Sequence, residues 1–326
     1  MAAKLQVRRI QAQLKSGQCI SVPTWRLNSG KPGPTWLLTA AQHGNELQGS
    51  EAIRRFMDDA PSRLKAGRIV AVPFMNLPAI RDRRPHIRMG PEQPYGDDRG
   101  HNMNRTWPGK ASGNATTQLS RAIYLAVGDR ATHVLDLHCW QKYSAPAVLI
   151  RDVPGIREIA AKLGHRFVQV NPAGNKITIT GYFCSTGRVG ITYECAGQYL
   201  VDEQQVQRCL RVVNNFGKVI GVIRGRLEKG DDPVLFSDET RSTEVKAPVT
   251  GLFVARDYQL CDPVRKGAIL GHILSDIDLK RHDIISPATG YLKAYNASRA
   301  HCDVALPSQH PYVDKGDRLA TVTSKR

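Results

Sequence analysis

Through the first two-thirds of the chain, short uninterrupted apolar runs alternate with stretches whose apolar residues recur every three to four positions. Residues 35–40 read TWLLTA, and a polar turn leads from them into ELQGSEAIRRFMDDA, apolar at helical spacing. Further runs follow at 68–76 (RIVAVPFMN), 131–140 (ATHVLDLHCW), 145–150 (APAVLI), 165–170 (HRFVQV) and 190–194 (GITYE). Helical spacing lies between several of them, in TTQLSRAIYLAVGD, IREIAAKLG and, later, VDEQQVQRCLRVVNNFGKVIG. Strands that are apolar throughout are covered on both faces. Their alternation with helices therefore predicts an α/β fold, a mostly parallel or mixed sheet flanked by helices.

The pattern changes after about residue 225, where helical spacing stops. This predicts an α/β domain over 1–225 and a β-rich domain over 226–326. The second segment contains an internal repeat: APVTGLF at 247–253 returns as SPATGYL at 286–292, and DPVRKGAILGHI at 262–273 is echoed by YVDKGDRLATV at 312–322. In each copy a Pro-x-Thr-Gly turn leads into one strand and a Lys-Gly turn into another. Two such halves predict a small all-β barrel or sandwich with pseudo-twofold symmetry. The segment resembles the biotinyl/lipoyl carrier fold, and Lys280, in Asp278-Leu279-Lys280, falls where such a domain presents its modified lysine. The surroundings lack the acidic residues of a lipoyl turn, and a lysine in a surface turn needs no function.

With 326 residues, the chain has room for two domains with sizeable cores. A hydrophobic content of 41% with 23% charged residues argues against extensive disorder. The start lacks the apolar segment of a secretory leader and no run of 18 apolar residues occurs, so the expectation is a soluble, cytoplasmic protein without membrane contact. Seven cysteines form no C-x-x-C pair and read as reduced thiols in a chain too large to need staples. Cys139 and Cys195 follow residues singled out below and are candidate soft ligands, but small buried hydrophobes are the better reading. A net charge of +17 would suit a nucleic-acid binder through counterion release. The basic residues are spread along the chain, however, without a nucleic-acid-binding signature, so no specific nucleic acid is expected. A basic surface equally concentrates small anions.

The ends of the apolar runs carry chemistry. His43 and Glu46 follow TWLLTA, Asn76 ends RIVAVPFMN, His138 ends THVLDLH and Glu194 ends GITYE. In an open α/β sheet, ligands bind where loops converge at the carboxyl ends of parallel strands. Catalytic zinc takes three protein ligands, commonly two imidazoles and a carboxylate, and leaves a position for water. His43, Glu46 and His138 would supply that set for one zinc ion per chain. The ion lowers the pKa of water from about 15.7 toward about 7. Glu194 is the carboxylate available as general base and acid. Asp136 shares the His138 face of its strand, either to orient that imidazole or as a buried aspartate satisfied by backbone donors.

A further candidate stretch is HNMNRTWPG at 101–109. Arg105 presents a planar fork that matches a carboxylate, and Asn104 adds an amide donor. The preceding loop, RDRRPHIRMGPEQPYGDDRG, carries Arg81, Arg83, Arg84, Arg88 and Arg99. Such loops are usually solvated, and Arg88 is the candidate for a second anion contact.

H-G-N-E at 43–46, N-M-N-R-x-W-P-G at 102–109, D-L-H at 136–138 and T-Y-E at 192–194 together resemble the succinylglutamate desuccinylase/aspartoacylase family, which is related to the zinc carboxypeptidases. The resemblance runs in order along essentially the whole chain. It implies a zinc carboxypeptidase-like fold, zinc on His43, Glu46 and His138, activation of water by Glu194, and a substrate carboxylate held by Asn104 and Arg105. It also implies hydrolysis of an N-acyl amino acid, with the carboxy-terminal β domain narrowing the active-site mouth. Two features depart from the family. Asn102 stands where D-x-N-R has its acid, and the upstream substrate-binding arginine cannot be matched by spacing.

The leading expectation is thus a zinc-dependent amidohydrolase acting on a small N-acyl amino acid that bears a carboxylate. Arg188, shortly before Glu194, is either an oxyanion donor or a surface arginine. One alternative is a carboxypeptidase-like peptide hydrolase using the same ion behind a wider mouth. Another is a non-catalytic protein whose basic surface captures anions or nucleic acid. The acyl group is not legible, since one methylene shifts discrimination by only about 1–3 kcal/mol. The sequence is compatible with an oligomer.

Overall fold

The alternation of apolar runs and helices becomes a nine-stranded sheet with helices on both faces. The computed structural model describes residues 3–90, 98–174, 176–237, 240–298 and 310–324. Cys302 and part of the arginine-rich loop, 91–97, lie outside the described residues. A hairpin of β1 (Gln6–Gln13) and β2 (Cys19–Asn28) leads into β3 (Thr35–Ala40), α1 (Gln48–Arg63), β4 (Arg68–Val72) and the short α2 (Leu77–Arg81). A 3-10 turn at Met103–Arg105 precedes α3 (Ala115–Ile123), which continues into a π-helical turn at Tyr124–Gly128. Then come β5 (His133–Trp140), β6 (Ala147–Arg151), α4 (Ile156–Ala161), β7 (Phe167–Asn171), α5 (Ile179–Ser185), β8 (Val189–Ala196), α6 (Glu203–Val219) and β9 (Val234–Phe236).

The spatial order is β1-β2-β4-β3-β5-β8-β6-β7-β9. β4, β3, β5 and β8 run parallel, whereas β6 pairs antiparallel with β8, so the sheet is mixed. Alternate residues of a strand serve opposite faces. On β5, Leu135, Leu137 and Cys139 join the core under α1 and α6, where Trp36 packs against Phe56 and Phe216 at ring-centroid distances of 5.2 and 5.4 Å. Burying each such aromatic contributes about 1.5–3 kcal/mol relative to exposing it. Val134 faces the other way, into a core with Met103, Trp107 and helices α3 and α5. Asp136 and His138 share that second face.

Two features fall outside the apolar runs. The β1–β2 hairpin forms an edge, and β1 buries only Ile10 and Ala12. β9 adds a three-residue edge strand beside β7, so residues just after 225 still belong to the large sheet.

The remaining strands are β10 (Arg241–Lys246), β11 (Gly251–Ala255), β12 (Pro263–Val264), β13 (Ile269–Ser275), β14 (Arg281–Ile285), β15 (Gly290–Ser298), β16 (Tyr312–Val313) and β17 (Arg318–Ser324). They form two four-stranded antiparallel sheets, β10-β17-β15-β12 and β14-β13-β11-β16, which enclose one core that includes Phe253, Leu270, Leu292 and Leu319. The sequence repeat maps onto their pairing. The two Pro-x-Thr-Gly turns deliver β11 and β15, and the Lys-Gly turns precede β13 and β17. β11 pairs with β13 as β15 does with β17, and β16 pairs with β11 as β12 does with β15. Lys280 sits exposed in the β13–β14 turn, 3.2 Å from the Asp278 carboxylate. β15 also meets the connection between β5 and β6: the Ala145 N–H donates to Lys293 O, and the Tyr295 N–H donates to Tyr143 O. No helix among the described residues is long and apolar enough to cross a membrane.

Candidate metal centre and adjoining cavity

The loop after β3 reaches the sheet edge by an unusual backbone path. Ala41 adopts a left-handed conformation (φ 58°). At Gly44 a Cβ would lie 2.3 Å from the Ala79 carbonyl carbon and 2.4 Å from Arg84 O, so only glycine fits between His43 and Asn45. The path brings His43 and Glu46 opposite the end of β5. His43, Glu46 and His138 are all buried, and each places a ligand atom within 4.8 Å of the other two.

Both imidazoles turn Nδ1 toward Glu46, at 2.9 Å from Oε1 for His43 and 2.9 Å from Oε2 for His138. Their outer nitrogens meet oxygen acceptors: His43 Nε2 lies 3.1 Å from Asn102 Oδ1, and His138 Nε2 lies 2.8 Å from Asp136 Oδ2. Glu46 also accepts from the Gln198 amide and from the Cys139 N–H. Burial opposes ionisation of Glu46, but the His43 charge and the imidazole hydrogen bonds outweigh it and hold the carboxyl well below its usual range. Burial likewise opposes the His138 imidazolium, and Asp136 with Glu46 overcome it, raising that pKa well above its ordinary value. Two imidazole nitrogens and a carboxylate, with both outer ring nitrogens held by acceptors, form a donor set that fits zinc.

Asp136 is fully buried, and side chains rather than the backbone satisfy it. Thr39 Oγ1 donates to its Oδ1 at 2.7 Å and Gln42 Nε2 to its Oδ2 at 2.6 Å, beside the His138 contact. Gln42 in turn accepts from the Trp107 indole. Thr39, Gln42, Asn102 and Gln198 therefore brace the cluster; Asn102 shows in the sequence only as a departure from a motif, and the other three do not stand out there.

His138 and Glu194 are paired in the β5–β8 register, so their side chains leave the same face of the sheet. Glu194 is buried, and its Oε2 has no hydrogen-bond partner among the described residues. Burial, partly offset by His138 and reinforced by Glu46 and Asp136, pushes this carboxyl up to about 8. It stands at the head of a cavity of about 340 Å³ whose lining includes Asn104, Arg105, Trp140, Arg151 and Thr192. Asn104 connects the two regions, with its Nδ2 3.4 Å from His138 Nε2.

Two arginines expected near the site are not among the described residues that line the cavity. Arg88 is exposed, in a left-handed backbone conformation, and is not part of the cavity lining. Arg188 precedes β8 at the end of the strand remote from Glu194. Its guanidinium donates to Gly128 O and Ala131 O and stacks 4.0 Å from the Phe183 ring centroid, so it braces the turn after α3 and is not positioned as an oxyanion donor. The cavity instead holds Arg151, at the end of β6, which the sequence did not single out. Cys139 and Cys195 pair across β5 and β8 but face the opposite core, away from the ligand group.

Residues 32–220, more than half of the chain, match the succinylglutamate desuccinylase/aspartoacylase catalytic domain. The chain is 26% identical over 271 residues to the N-alpha-acetyl-L-2,4-diaminobutyric acid deacetylase of Halomonas elongata, an alignment spanning 78% of this chain and 74% of that protein. Among solved structures, it is similar to a succinylglutamate desuccinylase/aspartoacylase from Rhodobacter sphaeroides, with a TM-score of 0.72 and 23% identity over 100% of this chain and 96% of the other. It is also similar to the product-bound ectoine utilization protein of Ruegeria pomeroyi, with a TM-score of 0.70 and 19% identity over 99% and 95% of the two chains.

Proposed function

The chain belongs to the succinylglutamate desuccinylase/aspartoacylase family, and from that premise we propose that it is a zinc-dependent deacylase that hydrolyses a small N-acyl amino acid bearing a carboxylate. The observation that carries this reading is the convergence of His43, Glu46 and His138 within 4.8 Å of one another, beside a buried carboxyl at the head of a cavity.

Zinc held by these three residues supplies Lewis acidity, which polarises an amide carbonyl and brings the pKa of water toward neutrality. Glu194 takes the proton from the attacking water and later delivers it to the leaving amine. A carboxyl pushed up to about 8 suits both transfers, because a group that first accepts and then donates works best with a pKa near the working pH. Asn104 and Arg105 hold the substrate carboxylate, the amide from beside His138 and the guanidinium from the cavity wall. Asp136 and Asn102 keep the imidazoles turned so that both Nδ1 atoms face Glu46. β15, hydrogen-bonded to the chain just beyond Trp140, narrows the approach from the side of the β-rich segment.

A cavity of about 340 Å³ is at the small end of the ligand-site range, which favours a single acylated amino acid over a peptide. The test is a panel of N-acetyl and N-succinyl amino acids and short unblocked peptides, offered to the zinc-loaded protein. Release of free amino acid from the acylated compounds, with the peptides left intact, is the expected result. Preferential peptide cleavage would favour a carboxypeptidase-like hydrolase. No hydrolysis of any kind, together with steeply salt-dependent nucleic-acid binding, would overturn the proposal.

A further inference from the structure

The two sheets of the β-rich segment have unlike surroundings. The sheet that contains β15 meets the α/β part of the chain: Tyr291 packs edge-on against Phe167 and Phe236 at centroid distances of 6.1 and 6.5 Å. The other sheet, β14-β13-β11-β16, sends Phe253, Ile273, Ile284 and Val313 into the shared core, so its alternate residues point outward. Residues paired across neighbouring strands share a face. Tyr312, Leu252, Leu274 and Arg281 therefore form one outward row, and Val254, His272 and Asp283 form the next. Ile285 continues the outward positions of β14 beyond Asp283. Outward positions of a solvated antiparallel sheet are ordinarily polar, as Ser242, Glu244 and Lys246 are on β10.

Here the outward positions are largely apolar. Leu252, Val254, Leu274, Tyr312 and Ile285 are 40–53% exposed, and the β13–β14 turn adds Ile277 and Leu279 at 88% and 74%. These seven make up more than half of the large apolar side chains exposed among the described residues, so the exposure is concentrated rather than scattered. Together they present roughly 600 Å², the upper limit of patches usual on a monomer. With His272, Arg281 and Asp283 beside them, they approach the roughly 800 Å² that each partner contributes to a standard interface.

Charge decides what can cover this face. Between residues 272 and 285, three acids, Asp276, Asp278 and Asp283, stand with two bases, Lys280 and Arg281. Each acid is engaged: the Tyr312 hydroxyl donates to Asp276, Lys280 Nζ lies 3.2 Å from Asp278, and Arg281 Nε donates to Asp283 at 2.8 Å. The patch has no positive excess in a chain of net charge +17. Nucleic acid or an anionic lipid surface would be drawn to the basic remainder of the molecule. Two copies of so basic a chain repel each other, and they can approach where local charge is balanced and apolar area offsets the repulsion. Arg281 and Asp283, opposite in sign on one face of the edge strand β14, complement themselves across a twofold axis.

We infer that the outer face of the β14-β13-β11-β16 sheet is a homodimer interface, on which a second copy of the chain packs sheet against sheet. The contact is isologous, with the same rows of side chains on both sides. No residue lining the cavity belongs to this sheet, so each copy keeps its own complete site, and dimerisation is independent of the reaction at the metal centre.

The test is sedimentation velocity of the full chain at about 1–100 µM, comparing the wild type with Leu252→Lys, Leu274→Lys and a control, Val7→Lys, on the β1 edge. The wild type and Val7→Lys are expected at twice the 36.0 kDa of one chain. Leu252→Lys and Leu274→Lys put like charges on both sides of the contact and are expected to raise the dissociation constant at least about 100-fold. Both side chains are 40% exposed, so the melting temperature of the monomer should survive the change. Should either variant fail to fold, Ile277→Lys in the turn replaces it, with a rise of at least about tenfold expected. Added salt screens the repulsion between copies, so the wild-type dimer should hold or tighten as salt rises. A wild type that stays monomeric at the highest concentration would overturn the inference. So would a dimer that Leu252→Lys and Leu274→Lys leave intact, or one that salt dissociates. Monomers that bind anionic phosphatidylserine vesicles, with binding lost in Leu252→Lys, would overturn it in favour of a membrane.

Discussion

Two regions of one sheet face meet at Glu194, and they are built on opposite terms. Around His43, Glu46 and His138 the protein supplies its own partners. Each Glu46 oxygen accepts from an imidazole and from one further donor, and Asp136 accepts from Thr39, Gln42 and His138. Arg105 and Arg151, which line the cavity with Glu194, each donate to a backbone carbonyl and have no carboxylate partner among the described residues. A metal shell needs fixed donors before the ion arrives, so its bracing lies within the chain. On the proposed reading, the cavity leaves its charge for a ligand to satisfy.

The largest effect expected on that contrast comes from the residue where the regions join. Glu194→Gln should lower kcat by about 10²–10⁴-fold while bound zinc stays at the wild-type level, as measured by elemental analysis alongside turnover. Loss of metal in this variant would merge the two regions into one. A smaller effect, on affinity rather than turnover, is expected for Asp136→Asn. Removing the charge that faces His138 Nε2 should weaken zinc binding by about 10–100-fold, read by competition with a chelator, and activity should return at high zinc. Unaltered affinity would make Asp136 simply a buried aspartate. Smallest for catalysis is Arg188→Gln. Loss of its carbonyl contacts should cost about 2 kcal/mol of stability in denaturant titration, with KM preserved. A raised KM at full stability would return Arg188 to the cavity.

What was legible in the sequence follows the same division. β3, β5 and β8 are apolar because both their faces are covered, and that reads directly from the chain. The β1–β2 hairpin escapes because only Ile10 and Ala12 of β1 are buried. α5 escapes because ITGYFCS is poor in strong helix formers and is held by packing and by a cap in which the Gly181 N–H donates to Thr178 Oγ1. Within the site, the three residues that could hold a metal ion are legible because few residue types can bind zinc and they stand at or just beyond strand ends. Asn102 was visible only as a departure from a motif; its contact with His43 Nε2 depends on the fold. Arg151 looks like any cation ending an apolar run, and strand pairing alone puts β6 antiparallel to β8. Arg188 misled for a related reason. Six residues of extended chain span about 20 Å, so nearness in sequence to Glu194 is distance in the sheet.

The most direct test of the metal centre is a zinc titration of chelator-treated protein, with hydrolysis of an N-acyl amino acid followed at each addition. The expected result is activity that rises in proportion to zinc and saturates at one ion per chain, with His43→Ala neither retaining the ion nor hydrolysing the substrate. Full turnover by the metal-free protein, or stoichiometric zinc with full turnover in His43→Ala, would contradict the assignment of His43, Glu46 and His138 as the metal site.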